Sequence, residues 1–220
     1  GTKDNAIPRE CEASLIYESD EEAAKAEELA CELAETYAEE LTPAEPDFSC
    51  EISCETNRTA EAIPQDAAKE FICAMRLAPN GIQKRNIKMD GFVVVSLNLG
   101  VVRTEEDRIV MIFSPRSSVA SLQEDTKERL NTLAETFGFT VSHSSEYPGW
   151  SFKEDSPVRE ICKESYKELF GEDLKIEAIH AGLECGLFSD AIKGLDAIAI
   201  GPTIANCHTP DEYLTLDSFE

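Results

Sequence analysis

Apolar residues alternate with polar ones at two different periods along this chain, and the periods divide it into elements. Ala23, Ala26, Leu29, Ala30, Leu33, Tyr37 and Leu41 fall on one face at helical spacing, so residues 21–41 are expected to form a helix. Asp20 is placed to cap it, and Pro43 and Pro46 stop it. Helical patterns also cover 65–77, 117–137 and 156–170. The first of these ends near the turn residues Pro79-Asn80-Gly81, and the second ends at Gly138. Strand-like runs lie within 6–19, then at 48–56, 92–102, 108–113 and 139–145. The 92–102 and 108–113 runs, with turn residues between them, read as a hairpin. The order β-α-β-α-β-β-α-β predicts an α+β fold: an open-faced sandwich with helices on one face of a mostly antiparallel sheet.

The character changes at Tyr147-Pro148-Gly149-Trp150. Beyond it come the 156–170 helix, a strand at 174–179, a Gly-containing junction over 180–188 that opens a helix, and a strand at 196–200. A loop with Pro202, His208 and Pro210 follows. These are β-α-β pieces of a parallel sheet, but two parallel strands do not make a stable sheet alone. The second unit therefore reads as incomplete at both ends. The N-terminus carries no initiator Met, no basic n-region and no apolar h-region, so the chain reads as processed or excised and without a signal peptide.

Composition refines this picture. Hydrophobic residues make up 42% of 220, enough for a packed core despite the charge. Forty-four acids against 20 bases give a net charge of −24. A surface this negative repels phosphate backbones and anionic lipid, so neither a nucleic-acid nor a membrane partner is expected. No apolar run is long enough for a membrane-spanning helix. Twelve of the acids, with one base, lie between Glu18 and Asp47, which reads as a solvated helix face. The eight cysteines show no Cys-x-x-Cys spacing and are expected to be small buried residues of a reduced, cytoplasmic protein.

Three histidines carry the candidate chemistry. His143 sits among serines and reads as a surface residue. His180 ends an apolar strand and opens His180-Ala181-Gly182-Leu183-Glu184-Cys185-Gly186, a strand C-terminus followed by glycines, where ligands sit in parallel sheets. His208 lies in a proline-stiffened loop past the last strand, a position that suits metal ligation. One histidine does not hold zinc, and no His-x-Asp or His-Glu-x-x-His motif supplies the rest.

Gly1–Glu10 with Asn5-Ala6-Ile7-Pro8, Ser114-Pro115-Arg116-Ser117-Ser118, Tyr147-Pro148-Gly149-Trp150, the 180–188 run, 200–204 and His208-Thr209-Pro210-Asp211-Glu212 occur in order through nearly the whole chain. Together they resemble the aminoacyl-histidine (Xaa-His) dipeptidases, of the superfamily of zinc peptidases that includes carnosinases, aminoacylases and glutamate carboxypeptidases. The resemblance implies that residues 1–146 are most of a lid, or dimerisation, domain. Residues 147–220 would be the returning C-terminal segment of the catalytic domain. It implies a metal-activated water attacking a dipeptide, with two zincs per site, and a homodimer. By resemblance His208 is a zinc ligand, and Asn5, Arg116, His180, Gly182 and Glu184 bind substrate, Arg116 being suited to a terminal carboxylate. The remaining ligands and the general base have no counterpart in these 220 residues, so this chain alone is expected not to hydrolyse peptides. Two other readings differ in class. One is a non-catalytic dimerisation or binding module, which gives no reason for the His208 loop; the other is an amidohydrolase of acylated amino acids, disfavoured by the 180–186 run.

Overall fold

The computed structural model describes residues 1–55, 61–87, 91–145, 148–178, 180, 183–207 and 209–219. The fold is α+β: a three-stranded antiparallel sheet, a two-stranded ribbon and five α-helices among the described residues. The chain divides into two compact units, Glu10–Ile72 and Gly1–Arg9 with Cys73–Glu220.

The smaller unit contains α1 (Asp20–Leu41) and the start of α2 (Gln65–Leu77). Ser19, not Asp20, is the N-cap of α1: its side chain accepts from the Glu22 N–H at 3.3 Å, and Asp20 instead adds its charge to an acidic first turn. No residue of α1 is buried. The strand patterns at 12–17 and 48–55 form no ladder among the described residues. An alternating pattern needs a neighbouring strand to satisfy its N–H and C=O groups, and these two find none among the described residues.

The larger unit holds the core. The sheet runs β1 (Gly81–Arg85), β2 (Val93–Thr104), β3 (Ile109–Ser117), all antiparallel, in the order β1-β2-β3. The predicted hairpin is present and longer than its pattern. Glu105 closes its turn, with its N–H on the Arg108 carbonyl at 2.8 Å and its carboxylate between Arg103 and Arg108 at 2.8 and 2.7 Å. β1 begins at the last of the turn residues 79–81 and was not predicted, because Gln83, Lys84 and Arg85 give no alternation; two register shifts interrupt its pairing with β2. Val95 and Leu97, 5% and 1% exposed, point from one face of β2, and α3 (Ala120–Thr136) packs against β3 with Thr126 and Ala134 buried. Gly138, at φ +67°, follows α3 as predicted.

After Trp150, α4 (Pro157–Phe170) begins at Ser156, whose hydroxyl accepts from the Arg159 N–H, and ends at left-handed Gly171. α5 (Glu184–Ala191) follows, then a ribbon of β4 (Ile204–Ala205) and β5 (Tyr213–Leu214). The described parts of the predicted strands, 139–145, 174–178 and 196–200, carry no ladder. A parallel strand requires flanking strands and covered faces, which these segments do not find among the described residues. Asp196 is instead tied to α4: its Oδ2 accepts from the Val158 N–H at 2.9 Å. That bond, more than Ser156 and Lys153 nearby, holds its carboxyl below the usual carboxylate range.

The cysteines depart from expectation. All eight are free, six are exposed, and Cys162 and Cys185 are half-buried. Thiols on α1 and on unpaired segments have no covering layer to bury them.

Candidate functional site

Side chains of a strand alternate between faces, so Ser96, Asn98 and Gly100 of β2 lie opposite to Val95 and Leu97. Ser96 pairs directly with Arg116 on β3, and Asn98 with Ser114. Directly opposed residues share a face, with Cβ atoms about 5 Å apart. One face of the sheet is thus apolar and carries the core. The other begins with the buried Val94 and is polar from Ser96 on, where it carries the candidate site.

The N-terminal segment crosses that polar face. The Asn98 side-chain amide donates to the backbone carbonyls of Asp4 and Ala6, both at 2.8 Å. Asn5 is therefore held between two anchored neighbours. Gly100 permits the crossing: a Cβ there would stand 2.5 Å from the Asp4 carbonyl oxygen. Gly100 also sits in the register shift between Leu99 and Val101, a bulge that interrupts the β2–β3 ladder.

His180 reaches the same face from a distance of 84 residues. Its Nε2 lies 2.7 Å from the Ser96 hydroxyl. The ring is half-buried, and its pKa is lowered, first by burial and then by the Arg116 charge; a hydrogen bond with the Val93 backbone opposes both. The imidazole is therefore neutral at neutral pH. Arg116 is half-buried and makes no ion pair with any described residue, in a chain with 44 acids. A guanidinium removed partly from water without a counterion is a ready anion-binding group.

Three residues singled out from sequence, Asn5, Arg116 and His180, thus converge on one face. Glu184 is exposed in the first turn of α5, four positions beyond His180. Gly182 and His208 lie outside the described residues. Ser96 and Asn98 were missed. Their signal was the alternation itself: polar residues at every second position of a Val- and Leu-rich strand mark a face that is not core. No group of three or more His, Cys, Asp or Glu that could hold a metal occurs among the described residues. No helix among them is long and apolar enough to cross a membrane.

Residues 2–220 match the family model described as peptidase family M20/M25/M40. The chain belongs to this family. It is 32% identical over 222 residues to the cytosol non-specific dipeptidase of Escherichia coli (strain K12), covering 99% of this chain and 44% of that protein. It also superposes on the crystal structure of aminoacylhistidine dipeptidase from Vibrio alginolyticus with a TM-score of 0.74 and 33% identity. That match covers 90% of this chain and 40% of the other. The M20/M25/M40 chain thus spans less than half the length of either relative. Its α+β architecture and the order of its motifs are those of a peptidase family with dipeptidases among its members.

Proposed function

We propose that this chain forms the substrate-carboxylate end of a dipeptidase site, acting on Xaa-His and other dipeptides. The observation that carries the reading is Arg116, half-buried on the polar sheet face with no acidic partner among the described residues. A dipeptide's terminal carboxylate supplies the missing counterion in a bidentate pair. His180, held neutral beside it, adds a ring without adding a second charge. Asn5 sits at the rim, fixed through its neighbours by Asn98. Glu184, exposed in the first turn of α5, is assigned to the same peptide by the resemblance, as is Gly182, which lies outside the described residues.

In this reading residues 1–146 are lid and 147–220 are the C-terminal segment of the catalytic domain. The protein is cytoplasmic and homodimeric, with the contact away from the acidic face of α1. His208 is proposed as a zinc ligand. In the same reading the remaining metal ligands and the general base, for which the sequence has no matching motif, belong to the part of the relatives' length that this chain does not span. These 220 residues alone bind dipeptides and do not cleave them.

Calorimetric titration of the chain with glycyl-histidine and with its C-terminal amide tests the carboxylate assignment. The dipeptide is expected to bind at least about tenfold more tightly than the amide, the worth of one charge-assisted pair. Equal affinities for the two, or binding of neither, would overturn the assignment.

A further inference from the structure

The Ser96–His180 hydrogen bond joins residues 84 apart in sequence, and it meets the sheet at the position paired with Arg116. We propose that Ser96 is a positioning residue for the anion site: β2 holds the His180 imidazole through the Ser96 hydroxyl and so sets the ring against Arg116. The inference rests on the carboxylate reading above for what the site binds, but not for the positioning itself.

Three features of the fold support it. Ser96 is fixed on both sides, pairing with Arg116 of β3 and with Ile82 of β1, so its hydroxyl has a rigid origin. His180 has no such support of its own: the described residues around it, 174–178 and 183, belong to no helix or strand. The backbone of Val93, three residues before Ser96 on the same strand, also acts on the ring, raising its pKa against burial and the Arg116 charge. The ring is thus oriented by β2 and not by its own segment. With Nε2 held on Ser96, the ring plane is set by the strand that also faces Arg116, and exchange between tautomers is restricted. A half-buried imidazole left to rotate beside a guanidinium would present different nitrogens, and the carboxylate site would lose its fixed wall.

The test uses the 220-residue chain in the wild-type, Ser96→Ala, Ser96→Thr and Arg116→Ala forms, with glycyl-histidine as the probe. The first readout needs no ligand: the imidazole nitrogen NMR shifts of His180. Ser96→Ala is expected to move them toward the averaged tautomer pattern of a free histidine, and Ser96→Thr is expected to leave them in place. The second readout is dipeptide affinity. Ser96→Ala is expected to weaken it about tenfold, with Ser96→Thr within about twofold of wild type. Unchanged His180 shifts in Ser96→Ala, in a chain whose backbone amide spectrum is otherwise preserved, would overturn the positioning role. If Arg116→Ala binds the dipeptide as wild type does, the carboxylate reading fails, while the His180 shifts still decide the role of Ser96. Loss of the hydrogen-bonded shifts in Ser96→Thr as well as Ser96→Ala would also count against it, since the hydroxyl is retained there.

Discussion

The acidic helix α1 and the polar face of the β1–β3 sheet present opposite ways of spending charge. α1 lies in the stretch with twelve of the chain's acids, yet it buries no residue, and Glu21 and Lys25 form an exposed ion pair on it at 2.8 Å. The sheet face gathers the Arg116 guanidinium and the His180 imidazole with Ser96 and Asn98 from segments far apart in sequence. Along a solvated helix the charges diverge, and each is screened by water. On the sheet face they converge over a packed core, where a partly desolvated cation keeps its attraction for an anion. Density of charge is thus a poor guide to a site; convergence on a rigid surface is a good one.

The comparison breaks most visibly in the core beneath each region. Leu97→Ala, at 1% exposure behind the polar face, is expected to cost about 2–5 kcal/mol in denaturant unfolding. Leu29→Ala on α1, at 55% exposure, is expected to cost less than about 1 kcal/mol, and equal losses would mean that α1 has a core of its own. Next in size, Arg116→Ala is expected to weaken glycyl-histidine binding by at least about tenfold, and Arg116→Lys is expected to recover only part of it. A smaller effect is pH-dependent. The Asp196 carboxyl is held below its ordinary range by the Val158 N–H, so its contribution is present above the unfolded carboxylate pKa. It is lost as pH falls through the lower folded value. Thermal melts between about pH 7 and pH 3 are expected to show this loss in the wild type, and Asp196→Asn is expected to lower the melting temperature and flatten the decline. Smallest of all, Glu28→Gln with Glu32→Gln on α1 is expected to change stability by within about 0.5 kcal/mol and to leave dipeptide affinity unchanged.

Much of this was legible in the sequence where partners lie close along the chain. The 92–102 and 108–113 runs found each other across a four-residue turn, and α1 to α4 follow their apolar spacing to within a few residues. Local periodicity fails where an element depends on distant company. The 12–17, 174–178 and 196–200 segments alternate or run apolar as strands do, but their pairing partners are not local, and no ladder forms among the described residues. β1 failed in the opposite direction, since pairing with β2 made a strand from Ile82-Gln83-Lys84 that its own pattern does not announce. Asn5, Arg116 and His180 came from motif resemblance, and the fold supplied what the motifs did not: a common surface. Ser96 and Asn98 are legible in the Val-Ser-Leu-Asn-Leu alternation, which marks a polar face opposite the apolar one. The exposure of the cysteines was not readable at all, because burial depends on layers that sequence period does not count.

Chemical-shift mapping of the 220-residue chain during titration with glycyl-histidine tests the convergence most directly. Shifts confined to Asn5, Ser96, Asn98, Arg116 and His180, with α1 silent, are the predicted result. Shifts centred on α1, or spread over both regions without focus on the sheet face, would contradict it.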